Sequence, residues 1–168
     1  PAQTSIIVTQ NTYDDLGRII IVEKKVSNSL INAGTMSSFA TIATMAYNAL
    51  GQLSKKYIGN KKNPATNTYY STRQPLQELV YEYNIRGWLL GMNRDYLATE
   101  GQTSDGKYFG FELGYNKTSN KTGELFTATQ LNGNITGMIW KSDGNDIRRK
   151  YDFGYDGANR LLKADFEQ

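Results

Sequence analysis

The sequence has no cysteine and no histidine among its 168 residues. Without cysteine there are no disulfides and no thiol nucleophile, and without histidine the commonest general base is missing. A zinc site would lack both of its usual nitrogen and sulfur ligands. Prolines are few, three in all, so little interrupts extended backbone. No run approaches the ~20 apolar residues of a membrane-spanning helix, and no membrane span is expected. The N-terminus does not read as a signal peptide, because residues 1–10 already carry strand patterning. The lack of cysteine is neutral about compartment, since large surface proteins often do without disulfides.

Charge excludes more than it suggests. The net charge of +3 is too small to imply a nucleic-acid partner. Lys24-Lys25, Lys55-Lys56, Lys61-Lys62 and Arg148-Arg149-Lys150 read as solvated strand edges, where basic side chains discourage self-pairing. The close carboxylate pairs, Asp14 with Asp15 and Asp143 with Asp146, read as turn chemistry rather than a glycosidase pair. Ser142 to Asp146 lacks the spaced acidic positions and terminal Glu of a calcium loop. No catalytic residue, cofactor or metal is expected.

What is abundant is tyrosine, 12 residues, and glycine, 16 residues. They recur together. Tyr13-Asp14-Asp15-Leu16-Gly17-Arg18-Ile19, Tyr47-Asn48-Ala49-Leu50-Gly51-Gln52-Leu53, Tyr83-Asn84-Ile85-Arg86-Gly87-Trp88-Leu89 and Tyr155-Asp156-Gly157-Ala158-Asn159-Arg160-Leu161 share one pattern. A degraded copy keeps its end, Gly133-Asn134-Ile135. Asp or Asn suits the first position of a type I turn, and glycine the fourth, where positive φ closes a hairpin with a bulge. Asn159 replaces glycine in the last copy, and Asn best tolerates that conformation. The predicted turn residues are therefore Asp14, Gly17, Asn48, Gly51, Asn84, Gly87, Asp156 and Asn159.

Before the turns the chain alternates, as in Phe39, Thr41, Ala43, Met45 and Tyr47, which marks strands. The pattern predicts an all-β chain of five antiparallel hairpins, with turns ending near Gly17, Gly51, Gly87, Gly133 and Asn159. Those markers lie 34, 36, 46 and 26 residues apart, so hairpins are separated by insertions of unequal length. No helix signal competes well. Residues 27–38 read as a loop or helical turn, and residues 59–69 and 101–106 as surface loops. Strand patterning up to both ends suggests that residues 1–168 form a single module from a longer repeat array.

These copies resemble the YD-repeat, or RHS-repeat, family, whose pattern is Tyr-Asp-x-x-Gly-Arg-Leu. The match is closest at Tyr13 to Ile19 and at Tyr155 to Leu161. The elements from Tyr83 to Leu89 and Asn132 to Ile135 are similar to variant arrays of large secreted Bacteroidetes proteins. The resemblance implies successive hairpins forming a curved or spiralling sheet, part of a hollow shell in a secreted or cell-surface protein. In some members such a shell encloses a C-terminal toxin; in teneurins it serves adhesion, and some members are linked to carbohydrate binding. The aspartate-dependent self-cleavage segment of toxin-bearing members has no counterpart here. Adjacent repeats of the same chain are the implied partners, with an enclosed toxin or a glycan as further ones.

Trp88 and Trp140 follow turns. As strand aromatics they are expected to pack in the core, and if exposed they would suit stacking on sugar rings. A strip cut from a longer sheet has bare edges, which predicts edge-to-edge self-association.

Overall fold

The computed structural model describes residues 2–99, 107–117 and 120–168; the loop expected at 101–106 lies outside them. The chain is all-β, a succession of antiparallel hairpins. It divides into two compact units, Pro1–Glu78 and Leu79–Gln168.

Unit 1 holds β1 (Ser5–Tyr13), β2 (Ile19–Asn28), β3 (Ala40–Tyr47) and β4 (Leu53–Ile58). Each strand pairs antiparallel with the next in sequence. Runs of β-branched residues, Ile6 to Thr9 in β1 and Ile19 to Val22 in β2, favour extended backbone, and short Asx-x-x-Gly segments make the β1–β2 and β3–β4 reversals. The 27–38 segment is a loop organised by Asn28, whose Oδ1 accepts the N–H groups of Leu30 and Ile31 at 2.9 and 3.0 Å. Arg73 pins the 59–76 connection, donating to the Thr44 hydroxyl and to the carbonyls of Tyr57 and Gly59 at 3.3 and 3.1 Å. Among the described residues of this unit, Ala43 is the buried apolar side chain. Unit 1 is a sheet with little core.

Unit 2 contains β5 (Gln77–Tyr83, its first two residues belonging to unit 1), β6 (Leu89–Met92), β7 (Phe109–Gly114), β8 (Gly137–Ser142), β9 (Arg149–Tyr155) and β10 (Leu161–Glu167). These strands also pair in sequence order. Between β6 and β7 lies α1 (Arg94–Ala98), a departure from the helix-free reading. Five residues are too few for a 3.6-residue period to show in the sequence. Leu97 from α1, Phe126 from the β7–β8 connection and Ile139 of β8 form the buried apolar cluster. Glycines make the room for it. Gly114 and Gly137 are cross-strand partners, and a Cβ on Gly114 would stand 2.5 Å from ring carbons of Phe126.

The two faces of β7–β9 differ sharply in chemistry. The covered face carries Gly110, Glu112 and Gly114, then Ile139 and Lys141, then Lys150 and Asp152, all buried. The other face carries Phe109, Phe111, Met138, Trp140, Tyr151 and Phe153, all half-buried.

Candidate functional site

Four turns are built alike, atom for atom. Asp14 Oδ1 accepts the N–H groups of Leu16 and Arg18 at 3.0 and 2.9 Å. Asn48 Oδ1 does so for Leu50 and Gln52 at 3.0 and 2.9 Å, and Asn84 Oδ1 for Arg86 and Trp88 at 2.9 and 3.0 Å. Asp156 Oδ1 repeats the arrangement with Ala158 and Arg160, both at 2.9 Å. In each turn the Asx N–H also donates to the carbonyl four residues on, at 2.9 to 3.0 Å. The N–H of the fourth turn residue donates back to the Asx carbonyl over the same range of 2.9 to 3.0 Å. This is a type I turn closed by a bulge, and it demands a left-handed residue at one place. Gly17, Gly51, Gly87 and Asn159 stand there with φ of 75°, 79°, 80° and 62°.

In three of the four turns the residue after the bulge adds a side-chain contact to the Asx. Arg18 pairs with Asp14 Oδ2 at 2.7 Å, and Arg160 with Asp156 Oδ2 at 2.6 Å. Gln52 Oε1 accepts from the Asn48 amide at 2.8 Å, the neutral version of the same contact. The Arg18 and Arg160 backbone N–H groups, joined by their guanidinium groups, hold the Asp14 and Asp156 carboxyls below the usual carboxylate range.

A second recurring contact ties one hairpin to the next. Tyr47 donates its hydroxyl proton to the Ile19 carbonyl at 2.8 Å, Tyr115 to Leu89 at 3.0 Å and Tyr155 to Ile135 at 2.8 Å. In every case the acceptor lies two residues beyond a turn glycine: Gly17, Gly87 or Gly133. The aromatic that opens a repeat thus docks on the aliphatic residue that closes the one before it.

This contact locates the missing start of the degraded copy. Tyr115-Asn116 occupies the Tyr-Asx position, and residues 117–132 are inserted before Gly133-Asn134-Ile135. The pattern in the sequence was broken rather than shortened, and the Tyr-Asn pair was the signal available. The insertion supplies Phe126 to the core. It also supplies Lys121, whose ammonium meets Asp95 at 2.6 Å and Glu82 at 3.2 Å, while its N–H donates to Glu112 at 3.1 Å.

Arg94 lies between Glu82, at 2.7 Å, and the buried Glu112. Together with Asn84, Asn120 and Lys121, Arg94 and Glu112 line a cavity of about 310 Å³. Arg94 and Lys121 are both paired with carboxylates. The hydrogen bond between Asp95 and Lys121 lowers the carboxyl pKa and raises that of the ammonium, which keeps both ionised. Paired carboxylates of this sort make poor general bases. What the cluster does is fasten the insertion and α1 to the sheet.

Lysines are used similarly on the covered face. Lys141, 1% exposed, donates to the Thr99 carbonyl at 2.6 Å and meets Asp146 at 2.7 Å, with the Tyr96 ring 4.5 Å beneath it. Lys150 reaches the Leu125 carbonyl at 3.1 Å, Asp152 at 3.0 Å and Glu167 at 2.8 Å. Arg148 donates to the carbonyls of Leu97 and Ala98 at 3.0 and 3.2 Å. The expected solvated edge at Arg148-Arg149-Lys150 is corrected accordingly: Lys150 is buried and Arg148 caps α1. The insertions that cover this face were invisible to a strand-by-strand reading.

The two tryptophans part company. Trp88 is wedged, its centroid 5.2 Å from that of Tyr115 and 5.1 Å from the Arg86 guanidinium. A Cβ on Gly133 would come within 3.2 Å of its indole. Trp140 instead lies in the uncovered aromatic face, stacked on Tyr151 at 5.4 Å and tilted against Phe166 at 6.2 Å. Both side chains are half-buried, and neither belongs to the buried cluster.

Neither the models of known protein families nor the curated proteins give a match to this chain. Among the described residues, no three His, Cys, Asp or Glu side chains gather as a metal site would require, and no helix is long and apolar enough to cross a membrane.

Proposed function

We propose that this chain is a structural, non-enzymatic wall segment of an RHS-type repeat protein, secreted or at the cell surface. The observation that carries this reading is the recurrence of one hydrogen-bonded turn at Asp14, Asn48, Asn84 and Asp156, with tyrosine hydroxyls joining successive hairpins. Identical turns with variable insertions between them are what a repeated wall requires. The repeated parts serve to satisfy backbone donors and acceptors at each reversal. Adjacent repeats of the same chain continue the sheet, and the finished shell encloses a toxin or presents a surface for contact.

Electron microscopy of the longest natural chain containing these residues tests the reading. A closed hollow particle with internal density is the expected result. An open strip would remove the enclosed toxin and leave adhesion.

A second reading is carbohydrate binding, and the position of Trp140 favours it over Trp88. Its ring sits half-buried, stacked on Tyr151 with Phe166 tilted against both, a cluster of exposed aromatic edges and faces on which a sugar ring could stack. Titration with cell-wall and host glycans decides this, with Trp140→Ala as the control. Saturable binding lost in the variant supports it, and absence of saturable binding leaves the wall alone.

A further inference from the structure

The two faces of β7–β10 are sorted by charge. Cross-strand partners share a face, so the register assigns each charged side chain of these strands to one side. Glu112 stands opposite Ile139, and Lys141 opposite Gly110, on the covered face. Asp165 stands opposite Asp152, Glu167 opposite Lys150 and Lys163 opposite Gly154, on that same side. Arg149 is the exception. It stands opposite Trp140 and alternates with the buried Lys150 and Asp152, in step with Tyr151 and Phe153. Among the described residues of these four strands, it is the one charge on the aromatic face.

The Arg149 guanidinium also lacks a strong partner. Its hydrogen bond is to the Ile147 carbonyl at 3.5 Å, beyond the usual range for such a contact. The other arginines of unit 2 are engaged. Arg94 pairs with Glu82 and Glu112, Arg148 with Glu124 and Arg160 with Asp156, and Arg86 lies over the Trp88 ring. No carboxylate among the described residues pairs with Arg149. Beside it the rings form a row, with Trp140 and Tyr151 20° from parallel and Tyr151 and Phe153 14°.

We propose that this face takes an acidic sugar, its carboxylate on the Arg149 guanidinium and its ring packed against Trp140 and Tyr151. The proposal rests on the carbohydrate reading of Trp140 and names the class of sugar. A guanidinium offers parallel N–H donors that match the two oxygens of one carboxylate. Half-buried aromatic surroundings lower the local dielectric, which strengthens a charge-assisted contact. One cation suits one anionic group, whereas a nucleic acid would need several basic groups along its backbone. A neutral sugar would leave the guanidinium unmatched. From Arg149 the row of rings leads toward Phe153, so a second sugar unit has a surface to follow.

Titration calorimetry of the chain with oligogalacturonate and with sialyllactose tests the proposal. Methyl-esterified oligogalacturonate and a neutral cello-oligosaccharide are titrated alongside. Saturable binding of an acidic sugar is expected, at least about tenfold tighter than the ester or the neutral oligosaccharide, as a hydrogen bond to a charged group warrants. Arg149→Gln should lose that same factor, and Arg149→Lys, which keeps the charge but not the fork, should fall between. Arg149 is outside the buried cluster, so both variants should unfold thermally as the parent does. Equal or tighter binding of the ester or the neutral oligosaccharide, or no loss in Arg149→Gln, would overturn the proposal and leave the carbohydrate reading standing. A glutamate polymer binding as tightly as the acidic sugars would overturn it too, by showing charge alone at work. No saturable binding of any of these sugars would remove the proposal and the carbohydrate reading together.

Discussion

The two units solve the same problem with different means. Unit 1 reverses its chain at Asp14 and Asn48 by the turn shared with unit 2, but buries one apolar side chain, Ala43, among its described residues. Unit 2 adds α1 and the 117–132 insertion, and these bring Leu97 and Phe126 onto Ile139. Turn chemistry therefore sets where the chain reverses in both units, while insertions decide where a core exists. Charge follows the insertions as well, since Lys141, Lys150 and Glu112 are buried only where something covers them.

The sharpest way to break the comparison is to remove the core that only unit 2 has. Phe126→Ala should cost about 3–5 kcal/mol in urea unfolding, because the ring fills space left by Gly114 and Gly137 that the sheet cannot close. Probes in unit 1 should register little of that loss. Next comes the turn common to both units. Gly51→Val should destabilise by well over about 1 kcal/mol, since a β-branched residue resists φ near 79°. A neutral outcome in thermal unfolding would refute the turn assignment at Gly51. Asn48→Ala and Asn84→Ala should each cost about 1–2 kcal/mol, as two backbone donors lose one acceptor.

Acid should separate the turns by sign and by kind. The Asp14 and Asp156 carboxyls are held low by backbone N–H donation from Arg18 and Arg160 and by the guanidinium groups. A carboxyl depressed in the folded state stabilises fully above its ordinary pKa, near about 4. That contribution disappears as pH falls through the lower folded value. Asn48 and Asn84 do not titrate. Amide proton shifts of Arg18 and Arg160 should therefore move in acid, while those of Gln52 and Trp88 stay level.

Much of the hairpin order was legible because the turn demands specific side chains within seven residues. An Asx at one position and a residue tolerant of positive φ three later leave few other readings. The degraded copy was harder: its Tyr115-Asn116 start and its Gly133 end are separated by an insertion, and no local rule joins them. Burial of Lys141 and Lys150 was not legible either. Among their partners, Thr99, Asp146 and Leu125 are brought in by connections whose paths leave no strand period, and Glu167 arrives from the end of β10. Trp140 could not be assigned to a face without knowing which face the insertions cover.

The measurement that tests the repeated turn most directly is residue-resolved hydrogen exchange of the four turns in one native sample. Protection at Leu16 and Arg18, Leu50 and Gln52, Arg86 and Trp88, and Ala158 and Arg160 should recur as one pattern. The second turn residues, Asp15, Ala49, Ile85 and Gly157, should exchange fastest in each. Four unrelated protection patterns would contradict the claim that a single physical unit is repeated along this chain.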